Sequence, residues 1–250
     1  WSTHPSEILT WFVPRFYGGM SNEKYTGSDY QQVKGQPISV YWGHMPFTQS
    51  YEYFGVVTLI LALLGLVMFR RDKMILSLII FSGFLILLSL GRHFEVFYSL
   101  FYNYVPFFNK FRAPMMSVTV TYFMFSIFAV FGLRYLSEMK TEVFDLKKYK
   151  NILIILGGFV ALGIVLWLYG FGASYVKAAG ERYTGQSLDL IKNIRAEYFK
   201  DDVIRYIILV LLAAGSIFAY LSRKINFTIA SLIIGGLVLF DLLQVQGHVH

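Results

Sequence analysis

Two cations, Lys110 and Arg112, lie two residues apart in the stretch Pro106-Phe-Phe-Asn-Lys-Phe-Arg-Ala-Pro114. Proline fixes its own φ and restricts the residue before it, so both side chains are expected to be held in place rather than free. A guanidinium offers a planar fork that matches phosphate oxygens. Arg92 and His93 open the same segment. The chemistry implied is phosphate binding among aromatic rings at a membrane surface. An ordinary phospholipid headgroup and a lipid-linked phosphate would both satisfy it.

Other reactive constellations are sparse. The sequence lacks a phosphate-binding G-x-x-x-x-G-K-[ST], a G-x-G-x-x-G, an H-E-x-x-H and a G-x-S-x-G. Without cysteine there is no disulfide and no thiolate chemistry. The five histidines, His4, His44, His93, His248 and His250, include no i, i+4 pair, so no metal site is expected. Within the long apolar stretches the charges are Arg205 and Asp241, which either pair across neighbouring helices or snorkel separately.

The elements that must carry these residues follow from composition. Hydrophobic residues make up 56% of the 250 and charged residues only 15%. The mean hydropathy is +0.55. A soluble domain of this size could not cover so much apolar surface with so few charges, and nucleic-acid binding is excluded with it. The expected fold is all-α, a polytopic transmembrane helix bundle. Six apolar stretches have spanning length, at about 53–69, 74–90, 115–133, 152–170, 203–222 and 225–243. The expected division is an outer segment, 1–52, and a bundle, 53–250, with outer loops 91–114 and 171–202.

Basic residues orient the bundle. Three short connections, 70–73, 134–151 and 223–224, hold ten Lys or Arg, whereas the much longer opposite segments hold eleven. The short connections are therefore read as cytoplasmic and both ends as extracytoplasmic, and the net charge of +7 as mainly this asymmetry. The chain starts at Trp1 rather than Met and shows no signal-peptide pattern, so it reads as an internal piece of a longer protein.

The outer segments have character of their own. Trp1, Trp11, Phe12, Phe16, Tyr17, Tyr41, Trp42 and Phe47 make the first one aromatic, which predicts rings at headgroup depth. The stretch 21–36 is polar and turn-rich, hence a loop. Phe94, Phe97, Tyr98, Phe101 and Tyr102 recur at helical spacing, predicting a short amphipathic helix over 94–104, either lying in the outer interface or packed on neighbouring spans. Leu188, Leu190, Ile191, Ile194 and Tyr198 predict a second outer helix, a lid or a cover over span ends.

Several segments together resemble the bacterial YfhO-like membrane protein family. They are Trp1-Ser, Glu7-Ile-Leu, Pro14-Arg-Phe-Tyr-Gly-Gly19, Tyr41-Trp-Gly-His-Met-Pro-Phe-Thr48, Tyr53-Phe-Gly55, Leu88-Ser-Leu-Gly91, Asn109-Lys-Phe-Arg112 and Phe240-Asp-Leu242. The family is similar to GT-C glycosyltransferases, which implies a multi-pass protein of the bacterial cytoplasmic (inner) membrane. The implied activity is transfer of a sugar from a polyprenyl-phosphate donor to an envelope glycan, lipid or protein at the outer face. On that resemblance Arg112, Lys110, Arg92 and His93 would grip the lipid phosphate, and Trp42 and His44 would line a sugar pocket. The catalytic acid of such enzymes stands in their first outer loop, upstream of this chain. Glu7 is the best acid within it, with anchoring of a nearby helix as the other role. No cofactor is identified; a divalent metal is compatible with the chemistry. The rival readings are a non-catalytic scaffold or assembly factor of an envelope complex, and a lipid or solute transporter.

Overall fold

The computed structural model describes residues 2–45, 48, 52–110, 113–139, 149–178 and 180–247. Seven α-helices dominate them: α1 Val56–Phe69, α2 Lys73–Ser89, α3 Glu95–Tyr104, α4 Ser117–Glu138, α5 Lys150–Gly172, α6 Gly185–Leu221 and α7 Phe227–Gln246. Among the described residues the strand content is one antiparallel pair, β1 Glu23–Lys24 within the stretch expected to be loop and β2 Pro37–Ile38 immediately after it. The all-α membrane-type architecture is thus the observed one.

Every expected apolar stretch is helical, but the helices differ in reach. Four are long and apolar enough to cross a membrane: Pro114–Glu138, Lys150–Gly172, Gly185–Leu221 and Phe227–Gln246. A fifth is counted if α2 and the bent segment Gly91–Tyr104, turned by 108°, form one span. The expectation of six is corrected to four or five. The reason is local at α1, which has 14 residues and a length of roughly 21 Å against a hydrocarbon core of about 30 Å. Its start is set by Gly55, held at φ 84° in the left-handed region. The helices keep wide apolar faces outward: Leu232, Leu239 and Leu243 on α7 are each more than 60% exposed. Such faces need a lipid solvent.

The chain divides into two compact units. The first comprises residues 1–6 and 58–152. Asp72 caps α2 by accepting from the Met74 and Ile75 amides. α2 packs on α4, where Ser117 Oγ donates to the Leu85 carbonyl at 2.9 Å. Gly65 and Gly132 let α1 and α4 touch backbone to backbone: a Cβ on Gly65 would strike the Phe128 carbonyl, and one on Gly132 the Leu61 carbonyl. The short helix expected from aromatic spacing is α3. Its Phe97 and Phe101 meet Phe84 of α2 edge-on, with centroids 5.9 and 5.4 Å apart, so it packs on its own unit.

The second unit comprises residues 7–57 and 153–250. Its axis is α6, 37 residues in one run. The separate outer helix and span expected from sequence are a single element, since nothing from Gln186 to Ala214 is Gly or Pro. The N-terminal half of α6 carries the 7–57 segment: Tyr25, Val40, Ile194 and Tyr198 form a buried cluster. Trp11, Phe16, Tyr17, Tyr41 and Trp42 are buried as well. These aromatics were expected at headgroup depth. They are part of the unit's core, where large rings give more burial per ordered residue.

Candidate functional site

Glu7 sits in the 3-10 helix Pro5–Trp11, only 2% exposed. Its Oε1 accepts from the Tyr41 hydroxyl at 2.6 Å and from the His44 amide at 3.0 Å. Gly43 is required between those two donors, because a Cβ there would run into both the carboxylate and the phenol. Burial nevertheless wins over these bonds and raises the Glu7 pKa. Glu52 lies in the same small cavity with Thr10, Pro14 and Tyr41. Burial, and then the charge of Glu7, push its pKa up to about 7. Thr10 Oγ1 donates to the Glu7 carbonyl at 2.6 Å and lies 3.2 Å from the Glu52 carbonyl, which holds the two segments side by side.

Tyr41 has a second face. It also lines a polar hollow of about 130 Å³ with Ser21, Asn22, Lys177, Arg182 and Arg195. Lys177 Nζ lies 5.1 Å from the Tyr41 ring centroid and donates to the Met45 carbonyl at 3.1 Å. Its pKa is lowered, first by burial and then by Arg182 and Arg195. Arg195, 1% exposed, braces the wall by donating to the Val40 and Tyr175 carbonyls and to Glu181 at 2.9, 2.8 and 2.7 Å. Burial raises the Glu181 pKa, but Arg195 and the Lys177 amide overcome it and hold the carboxyl at about 2. The arrangement is a polar recess joined through one phenol to two carboxyls of high proton affinity. That is what acid–base work near neutral pH requires.

Of the residues read from sequence, Glu7, Trp42 and His44 are brought together. Trp42 is buried between Tyr17 and Tyr175, with centroids 5.0 and 5.7 Å away. It packs between these rings and does not line the polar hollow. His44 is exposed, and its ring meets Tyr17 at 6.0 Å. Arg92 and His93 belong to the other unit. Arg92 is exposed with Nε 3.4 Å from His93 Nε2, and the His93 ring meets His4 at 4.8 Å. Lys110 is exposed at the end of the 3-10 turn Phe108–Lys110. Arg112, His248 and His250 lie outside the described residues. The charges of Asp241 and Arg205 interact across α7 and α6 without a direct hydrogen bond; Asp241 accepts from the Tyr53 hydroxyl at 2.7 and 2.8 Å and from the Val56 amide at 2.9 Å. Among the described residues no three His, Cys, Asp or Glu could hold a metal ion.

Sequence reasoning missed Glu52, Tyr41, Lys177, Glu181 and Arg195 as site residues. Glu52 gave one signal, a carboxylate at the very edge of an apolar stretch; the others share a site only through the fold. No family model, curated protein or solved structure matches the chain.

Proposed function

We propose that the protein is a GT-C-type membrane protein of the bacterial inner membrane, with both ends of this chain outside. It transfers a sugar from a polyprenyl-phosphate donor to an envelope acceptor at the outer face. The observation that carries this reading is the Tyr41 hydroxyl bonded to Glu7 while the same phenol lines the polar hollow. An acceptor hydroxyl needs a base to take its proton, and a carboxylate with raised pKa meets that need near neutral pH. Glu7 and Glu52 are the acid–base pair in this reading, with His44 at the rim. Lys177 and Arg182 supply positive charge at the hollow. Lys110, Arg112, Arg92 and His93 keep the lipid-phosphate role assigned from the resemblance.

One observation favours the scaffold reading as second. Arg195 is fully engaged in joining Val40, Tyr175 and Glu181, so part of the hollow's polarity is structural. The discriminating experiment is transfer of radiolabelled sugar from polyprenyl-phosphate donors by the full-length protein in proteoliposomes. Transfer that is lost in Glu7→Gln with the melting temperature unchanged supports the enzyme. No transfer from any donor, together with co-purification of envelope proteins, supports the scaffold.

A further inference from the structure

The polar hollow beside Tyr41 carries more positive charge than its own carboxylate balances. Lys177, Arg182 and Arg195 line it with one acid, Glu181. Glu181 is committed to the loop that carries it. Its Oε2 accepts from the Lys177 amide at 3.0 Å and from Arg195 Nη1 at 2.7 Å, and its Oε1 from the Arg182 and Tyr183 amides at 3.0 and 3.4 Å. That pairing neutralises Arg195 and leaves two cations over. Among the described residues neither Lys177 nor Arg182 forms an ion pair with a carboxylate. Lys177 gives one of its three ammonium donors to the Met45 carbonyl. Arg182 is exposed, and the part of it that Glu181 holds is the backbone amide. The cations bear on one another: after burial, Arg182 and then Arg195 lower the Lys177 pKa, ahead of the opposing pull of Glu181 and Glu7. A concave site with such an excess of one sign favours a ligand of the other.

The neutral walls indicate what carries the anion. Ser21 Oγ accepts from the Thr48 amide at 2.9 Å, which leaves its own proton to donate. Asn22 and Ser39 also line the hollow, and among the described residues neither side chain makes a hydrogen bond. A hydroxyl and a primary amide both donate and accept, as the hydroxyls of a sugar do. A bare phosphate or carboxylate ion has no proton to give their acceptors when fully ionised. The volume of about 130 Å³ is close to the roughly 150 Å³ that holds a single six-membered ring.

We propose that the hollow binds an anionic sugar unit of the acceptor, its carboxylate or phosphate on Lys177 and Arg182 and its ring hydroxyls on Ser39 and Asn22. The proposal rests on the recess being the acceptor side of the transfer reaction, but its test is binding without any donor. The full chain in detergent is titrated by saturation-transfer NMR with glucuronate, glucose 1-phosphate, glucose, acetate and inorganic phosphate. Acetate and inorganic phosphate are the charge-only controls. At least one charged sugar is expected to bind roughly tenfold tighter than glucose and than its own bare anion, and the tighter of the two identifies the charged group. Arg182→Gln, at an exposed position, should remove most of the preference over glucose while the melting temperature holds. Ser39→Ala should bring the charged sugar toward its bare anion. Absence of binding by both charged sugars, glucose binding as tightly as they do, or bare anions binding as tightly as the sugars that carry them overturns the proposal on the wild type alone, even where a variant fails to fold. A charge preference that survives in both Arg182→Gln and Lys177→Gln overturns it too. Binding as expected with no transfer from any donor counts against the enzyme alone; transfer to a neutral acceptor with no binding of a charged sugar counts against this proposal alone.

Discussion

Arg15 holds Asp202 from two parts of itself: its backbone amide reaches Oδ2 at 2.9 Å and its guanidinium Nη2 reaches Oδ1 at 2.8 Å. The two residues are 187 positions apart and both are nearly fully buried. The Arg15 guanidinium also lies 4.3 Å from the Tyr198 ring centroid. This contact fixes the 7–57 segment to α6, and so fixes the wall that carries Glu7 and Tyr41. Removing one partner strands a buried charge, which costs about 3–5 kcal/mol. Asp202→Asn and Arg15→Met are each expected to lower the unfolding free energy by that order. The double variant should lose less than the sum, as thermal unfolding in detergent would read.

Two carboxyls of the site respond to pH in opposite senses. Glu52 has its folded pKa raised to about 7 from 4.5, so the folded state binds the extra proton. Its contribution is present below about pH 4.5 and is lost as pH rises through 7. Glu52→Gln should make the protein more stable above pH 7 by on the order of 2 kcal/mol. Glu181, held at about 2, contributes above pH 4.5 and loses that contribution as pH falls toward 2. Glu181→Gln should therefore flatten the acid limb alone. A wild-type and Glu52→Gln pair with the same slope between pH 5 and 8 would contradict the first assignment.

The glycine contact of the first unit gives a steric prediction. Gly65→Ala and Gly132→Ala must push backbone away from backbone, and each is expected to cost on the order of 2 kcal/mol. Gly83→Ala on α2, where an added Cβ meets nothing within 4 Å, should gain a few tenths from helix propensity. Folding yield in detergent for the three variants separates close approach from mere intolerance of substitution.

His44 offers the cleanest separation of chemistry from packing. Its ring is exposed and its tie to Glu7 is through the backbone amide, which an alanine keeps. His44→Ala should leave the melting temperature within about a degree and, in the proposed reaction, reduce sugar transfer roughly tenfold. Trp42→Ala, by contrast, removes a buried ring and should cost about 3–5 kcal/mol whatever the function.

How far the sequence could be read follows a physical divide. The apolar stretches and α3 were legible because their signal is periodic and local: Phe94, Phe97 and Phe101 announce a helix face by spacing alone. The continuity of α6 was hidden by the charged run Glu197-Tyr-Phe-Lys-Asp-Asp202, which imitates a loop between two helices. Two of those charges have partners far along the chain: Asp202 in Arg15, and Glu197 in the Tyr25 hydroxyl and the Ser28 amide. The recess has the same character. Glu7 was visible as an acid in an aromatic segment, but Glu52 becomes an unusual acid only through burial beside Glu7, and burial is a property of the fold.

The unbroken run of α6 sets how the segment packed on it can behave. At about 1.5 Å per residue its 37 residues measure roughly 55 Å, nearly twice the hydrocarbon thickness. The polar half is thus a mast continuous with its own footing, and Arg195, Tyr198 and Asp202 are rungs on it. A segment lashed to such a mast has no hinge of its own. Access to the recess then comes from side chains at its rim, or from tilting the mast as a whole, which would make the bilayer's thickness a setting of what the recess can admit.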